Sequence, residues 1–261
     1  MSTPPNALPV VTRSAGFEGV GRALGRAVIS QFRGPMLMAL LLPFAVALIG
    51  AIVLIWLFWT PLSEWLQITL FQWSVVNQLD TTLMALGLAS LKLWLIPVAA
   101  TLILLPLSGI LGLVTAAVFI MPLVLRHLSE RDYPDVRREG GNALVASVWN
   151  ALWVTVVFVL GWFFTLPLWL LPPLAVVLPI FWWAFAFTRM LRLDALADHA
   201  SPQERKILQA RHNKGFWALG TICALINLLP PAWFLLPVLS ALMFSHFGLE
   251  ALRRLRSETQ P

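Results

Sequence analysis

Four long segments of this 261-residue chain contain no aspartate, glutamate, lysine or arginine. They cover residues 34–63, 93–125, 140–188 and 215–249. Each is longer than the roughly 20 apolar residues that one membrane-crossing helix needs. Only 11% of all residues are charged, whereas soluble domains average about 25%. The sequence therefore excludes a soluble fold and predicts an all-α integral membrane protein that forms a single polytopic domain over residues 1–261.

The first half of the chain predicts two long transmembrane helices within residues 35–125, after an interfacial N-terminal segment over 1–34. The first helix begins near Pro35, whose missing amide hydrogen costs nothing at a helix start. It is expected to end near Trp59, because tryptophan is enriched at membrane interfaces. The second occupies residues 83–125 and, at 1.5 Å per residue, is long enough to protrude from the bilayer.

The second half predicts two helical hairpins, over residues 140–188 and 215–249, because a Pro-Pro pair divides each uncharged segment. Their arms are short enough that half-membrane hairpins and full crossings both remain open. The remaining segments are predicted to be polar and cytoplasmic: a loop over 126–139, a loop with a short helix over 189–214 and a tail over 250–261. Ser201 is expected to cap that short helix.

The distribution of basic residues predicts the topology. All lysines and arginines except Lys92 lie in segments that flank the predicted spans, which the positive-inside rule assigns to the cytoplasm. We therefore expect both termini to be cytoplasmic. The net charge of +6 accordingly indicates topology and contact with the lipid bilayer rather than a nucleic-acid partner.

Known catalytic motifs are missing from the sequence, which contains no Walker loop, HExxH or GxSxG pattern. Its single cysteine, Cys223, excludes a disulfide framework within one chain. We therefore expect no enzyme activity, no catalytic residues, no metal site and no cofactor.

A few polar residues inside the predicted membrane segments are candidates for a transport path. Lys92 either extends to the outer interface or lines a pore, and Asn150 is a second candidate for pore lining. Asn227, Pro230 and Pro231 are candidates for substrate binding, because a helix that begins inside the bilayer presents amides and a positive dipole end to anions. The alternative is that the Pro-Pro pairs mark only turns.

Several short patterns resemble the family of CysZ-type sulfate permeases and etoposide-induced 2.4 transmembrane proteins. They are small motifs of proline, glycine and polar residues that occur in the family's order along most of the chain. They comprise Pro35 with Leu42-Pro43, Met121-Pro122 with Leu128 and Glu130, Gly140-Gly141, the loop with Asp194, Asp198 and His199, and finally Gly220, Asn227, Pro230 and Pro237.

The resemblance implies a helical, oligomeric protein of the bacterial inner (plasma) membrane, in a family whose sulfate branch conducts sulfate for cysteine synthesis. The partners that it implies are a small inorganic anion and further copies of the chain. That branch carries a Gly-x-Arg motif just after the first proline, where this chain has Met36, Leu37 and Met38. Arg33 and Gly34 lie just before the proline and are our candidates to replace the motif in substrate binding. The expected function is thus a channel or permease for a small, sulfate-like anion. The alternative is a non-transporting protein that organises lipids or partner proteins.

Overall fold

The computed structural model describes residues 17–141 and 143–259, and the regular elements in these ranges are all helical. The α-helices are α1 (Phe17–Gln31), α2 (Gly34–Phe71), α3 (Ser74–Ala85), α4 (Leu91–Arg131), α5 (Ala143–Thr165), α6 (Pro172–Ala197), α7 (Pro202–Arg211), α8 (Asn213–Ile226) and α9 (Leu236–Thr259). Short 3₁₀ turns cover Leu166–Leu170 and Pro230–Phe234. The all-α prediction is confirmed. Residues 1–16 of the predicted interfacial segment and the last two of the tail lie outside the described residues.

Four helical segments of the described chain are long and apolar enough to cross a membrane, which confirms the prediction of a membrane protein. They are Gly34–Leu70, Leu91–Arg131, Val145–Leu170 and Pro172–Ala197. The 26 residues of α6 exceed the 15 uncharged residues, 174–188, that follow the Pro-Pro pair, because the helix continues through Arg189 and Arg192. In contrast, α8 has 14 residues and reaches about 21 Å, less than the roughly 30 Å of a bilayer core.

Two helix boundaries in the first half differ from the sequence-based expectation. α2 continues past Trp59 to Phe71, with Pro43 and Pro61 inside it, so the connection expected from residue 60 is helical instead. α4 begins at Leu91 rather than near Leu83, because Gly87 ends α3 with a left-handed φ of 76°. Glycine adopts that conformation without steric cost.

The chain divides into two compact units. The first contains the described residues up to Leu37 and from Ile120 onward. Its central element is α9, where every residue from 240 to 249 is buried. A helix that is buried on all sides forms a core rather than a surface. α1, α6, α7 and α8 all contact α9.

Aromatic side chains fill the centre of this first unit. Phe216 on α8 lies 6.1 Å from Phe244 and 5.0 Å from Phe247 between ring centroids. The loop before α8 is fixed by the expected helix cap, because Ser201 accepts a hydrogen bond from the amide of Glu204 and Glu204 accepts one from the amide of Ser201. This reciprocal capping box confirms the predicted start of the short helix.

The second unit, over residues 38–119, has a small core and an extensive apolar surface. Leu66, Leu70, Val76 and Ala100 form its buried cluster. Many large apolar side chains on its long helices are exposed; Trp56 has 81% of its surface accessible. This pattern is typical of a membrane protein, in which lipid covers the helices.

Candidate anion-binding cleft

A basic cleft of about 340 Å³ opens in the first unit, where the start of the described chain meets α9. Its wall contains positively charged side chains with a few polar and apolar neighbours. The lining residues are Arg26, Ile29, Ser30, Arg33, Asp132, His246 and Arg253. The lining therefore carries three guanidinium groups and one carboxylate.

Local backbone structure positions the two charged residues at the mouth of the cleft. Arg33 lies in the short link between α1 and α2, where its amide donates to the carbonyl of Ser30 at 3.1 Å. Asp132 directly follows α4, and its amide donates to the carbonyl of Leu128 at 2.8 Å. The Arg33 guanidinium then donates to the Asp132 carboxylate at 2.9 Å. This hydrogen bond thereby joins the end of α4 to the start of α2.

A buried polar network forms the back of the cleft. The His246 ring, 2% exposed, lies 3.2 Å from Ser30 Oγ through Nε2 and 3.2 Å from the Tyr133 hydroxyl through Nδ1. Arg26 donates to the same hydroxyl at 3.2 Å. Since buried polar groups are costly unless they are hydrogen-bonded, this network fixes the ring of His246 in place.

Burial keeps the Tyr133 phenol neutral, although the positive charge of Arg26 acts in the opposite direction. Burial raises the pKa of Tyr133 above its ordinary value, so its hydroxyl remains protonated. The hydrogen bond to Tyr133 raises the pKa of Arg26. The Arg253 guanidinium lies 4.6 Å from the Tyr133 ring centroid and donates to Asp135 at 2.7 Å. A protonated Arg26 and the Arg253 guanidinium thus both lie beside a neutral phenol.

Chemically, this arrangement suits a small oxyanion. A guanidinium offers five N–H groups, which bind sulfate or phosphate oxygens more strongly than neutral donors do. Among the described residues, Arg33 bonds Asp132 through one terminal nitrogen, so further N–H groups remain for a ligand. Within the same ranges, histidine, cysteine and carboxylate side chains form no cluster that would hold a metal.

Of the candidates from the sequence, Arg33 lines the cleft and Gly34 begins the helix beside it. Asn150 does not line the cleft. Its amide donates to the carbonyl of Arg189 at 3.0 Å and thereby links α5 to α6. A pore-lining role for Asn150 stays a prediction.

Lys92 belongs to the second unit, where it contacts α3. Its ammonium donates to Asn77 Oδ1 at 2.8 Å and lies 3.7 Å from the carboxylate of Asp80. Only 15% of the lysine side chain is exposed. The positive charge therefore has a buried acidic neighbour, which neither sequence-based interpretation of Lys92 included. Its pore-lining role likewise stays a prediction.

The Pro-Pro tips provide fewer amide donors than the sequence-based hypothesis requires. Proline has no amide hydrogen, and after Pro173 the amides of Leu174 and Ala175 both donate to the carbonyl of Leu171. Pro230 and Pro231 open a 3₁₀ turn rather than an α-helix. Anion binding at either tip stays a prediction.

Asn227 ends α8 at the second tip. Its backbone amide donates to the carbonyl of Cys223 at 2.9 Å, and its own carbonyl accepts from the Trp233 indole at 2.7 Å. Both of these bonds use backbone atoms of Asn227, so they stabilise the turn whatever side chain is present. Its proposed contact with a substrate stays a prediction.

A second cavity, of about 330 Å³, shares Arg253 with the cleft and is bordered by Arg256. The Arg256 guanidinium donates to Glu204 at 2.8 Å and to the carbonyls of Arg137 and His199, each at 2.8 Å. This single side chain therefore ties α9 to the start of α7 and to two loops.

Three carboxylates around this region predict a loss of stability in acid. Arg253 and Arg211 lower the pKa of Asp135 and Glu258 by donating hydrogen bonds. Burial raises the pKa of Glu204, but bonds from Arg256 and Ser201 outweigh it and lower the pKa overall. As the pH falls below ordinary carboxyl values of about 4, the unfolded chain takes up protons first, so these groups lose their stabilising effect.

Burial lowers the pKa of His212 and His246 to about 4, so the unfolded chain also takes up protons on these residues below about pH 6.5. We therefore expect the thermal midpoint of the detergent-purified protein to fall gradually as the pH drops from 6.5 to 5 and more steeply below about pH 4, where the carboxylates are protonated as well. Glu204→Gln removes one of the three groups, so its midpoint should depend less on pH. Glu130→Gln, which changes an exposed carboxylate on α4, is the matched control and should follow the parent chain. Identical pH profiles for all three proteins would show that the Glu204 carboxylate does not contribute to the loss of stability in acid.

Comparison with known proteins agrees with the sequence patterns. The family model described as sulfate transporter CysZ/etoposide-induced protein 2.4 matches residues 23–237. A search of curated proteins and a search of solved structures each give no significant match. The matched range covers most of the chain, from α1 to the beginning of α9. The chain therefore belongs to the sulfate transporter CysZ/etoposide-induced protein 2.4 family.

Proposed function

We propose that this membrane protein is a permease for a small, sulfate-like anion and that the basic cleft binds the anion at the cytoplasmic side of a bacterial inner membrane. The observation that supports the proposal best is the convergence of Arg26, Arg33 and Arg253 on one cleft that contains a single carboxylate. The family's description as a sulfate transporter supports the choice of anion. We propose no catalytic step.

The location of the cleft along the chain suits an entry site. Arg33 directly precedes the candidate span that begins at Gly34, and Asp132 directly follows the one that ends at Arg131. An anion in the cleft would exchange the Arg33–Asp132 contact for contacts of its own. Such an exchange keeps the arginine paired in the empty state and makes binding reversible.

Sulfate uptake into proteoliposomes tests this function. Purified protein should take up radiolabelled sulfate with saturation, and Arg33→Gln should lower uptake at subsaturating sulfate by roughly 10-fold, because a hydrogen bond to a charged group contributes 1.5–3 kcal/mol. Arg126→Gln removes an arginine that pairs with Glu130 on the surface of α4 and should behave as the parent chain. A folded protein without uptake above empty liposomes would refute the proposal.

One observation favours the alternative, a non-transporting protein that organises lipids or partner proteins. Threonines in the apolar helices donate to carbonyls of their own helix: Thr115 to Leu111, and Thr221 to Trp217. These hydroxyls use their donor within the helix, so they do not offer it to an anion on a path within one chain. We propose that the permease completes its path between copies of the chain, so a strictly monomeric protein without uptake would support the alternative.

A further inference from the structure

We propose that the basic cleft holds the phosphate headgroup of an anionic phospholipid, whose acyl chains lie over Ile29 and Phe32. The inference deepens the proposed function, on which it rests for the preference of the cleft for anions. A phosphodiester and a free sulfate or phosphate ion share the tetrahedral oxyanion that arginines bind. The depth and surroundings of the cleft favour the lipid.

The depth follows from the positions of the charged residues at the ends of the long helices. Arg33 directly precedes the uncharged segment over residues 34–63, and its 2.9 Å hydrogen bond to Asp132 holds that carboxylate at the same level. Residues at such positions lie at the level of the lipid headgroups, between the hydrocarbon and the water. Basic pockets at this level are where membrane proteins bind anionic headgroups.

An exposed apolar residue lines the same cleft, and a second one precedes Arg33 in the chain. They are Ile29 and Phe32, and each is 68% exposed. In a site for a free ion, large apolar side chains beside the arginines would have no ligand to contact. For a lipid, they provide a surface for the first methylene groups of the acyl chains. The combination of an arginine wall and an apolar rim therefore fits an amphipathic ligand.

The positively charged surface extends beyond the cleft. A small adjoining cavity is lined by Arg22, Arg26 and Arg254 together with Glu250. Arg22 and Arg26 are both exposed on α1, one turn apart, so they extend the basic surface away from the cleft along that helix. Each basic residue near an anionic membrane surface contributes about 1 kcal/mol of attraction.

Native mass spectrometry of the full-length protein in detergent tests the proposal. The protein is titrated with phosphatidylglycerol and with phosphatidylcholine that has the same acyl chains. We expect tighter binding of phosphatidylglycerol, and Arg33→Gln should weaken that binding about fivefold per lost arginine. Arg126→Gln is the matched control, because its arginine lies on α4 outside the cleft lining, and it should bind both lipids as the parent chain does.

Two further measurements distinguish a site for a lipid from a site for a free anion. The double variant Ile29→Ser, Phe32→Ser should lose affinity for phosphatidylglycerol but keep its affinity for inorganic phosphate. Glycerol phosphate, the headgroup without chains, should displace the lipid only at much higher concentration. Equal affinity for the two lipids, or binding that the apolar double variant leaves unchanged, would overturn the proposal. Because this experiment measures lipid binding, sulfate uptake can succeed or fail independently.

Discussion

Replacing Gly220 by leucine is expected to leave little folded protein. α8 crosses α6 so closely at this glycine that an added Cβ would contact the Thr188 hydroxyl and would lie 2.7 Å from the carbonyl oxygen of Ala184. A backbone oxygen cannot rotate away as a flexible side chain does, so the two helices must separate. Overpacking typically costs 1–3 kcal/mol, and a whole leucine at a helix crossing costs more, against a total stability of about 5–15 kcal/mol.

Size-exclusion profiles and thermal melts of the detergent-purified protein measure this effect. Gly21→Leu is the matched control, because an added Cβ at Gly21 on α1 would meet no atom within 4 Å. That control should be monodisperse and should melt at or above the parent temperature, since leucine also has a higher helix propensity than glycine. If the two variants melted alike, the close crossing of α6 and α8 would be refuted.

Arg256→Ala is expected to destabilise the first unit by about 3 kcal/mol, because it removes the guanidinium that donates to the Glu204 carboxylate and to two backbone carbonyls. The side chain of Arg256 is 18% exposed and that of Glu204 is 19% exposed, so water replaces the lost bonds only in part. Arg256→Lys should recover only a fraction of the loss, because an ammonium cannot bond a carboxylate and two carbonyls in the planar geometry of a guanidinium.

Urea titration in mild detergent provides the measurement, with Arg254→Ala as the control on the same helix. Arg254 pairs with Glu250 one turn away, and its side chain is 43% exposed. Such pairs contribute less than about 1 kcal/mol. A loss for Arg256→Ala no larger than that for Arg254→Ala would show that the guanidinium does not hold the α7 start and the two loops together.

The sequence predicts the membrane helices well because the cost of burying charge in lipid acts on each segment by itself. The uncharged segments predicted where the long helices lie, and Ser201 before Pro202 predicted where α7 begins. Helix ends were less predictable, since a charge ends a membrane span without ending the helix. α6 accordingly runs through Arg189, and α2 continues beyond Trp59.

The cleft was only partly predictable, for a different physical reason. Arg33 was a candidate because it adjoins the first span, but Arg253, Tyr133 and His246 come from distant parts of the chain. The Ser30–His246 contact joins positions 216 residues apart. The periodicity of apolar residues and the spacing of motifs do not indicate which distant residues contact each other in the fold. A signal was present only in the polarity of His246 within an otherwise apolar run of α9.

The burial of α9 on every side has a consequence for biosynthesis. α1 is made first among the described helices, yet its partner in the folded unit is α9. The first unit therefore cannot close its core while the ribosome is still adding residues before α9. During that interval the apolar side of α1, with Val20, Ala23 and Ala27, needs a temporary partner such as the membrane surface or a chaperone. Assembly of this unit is thus a late event that requires nearly the whole chain.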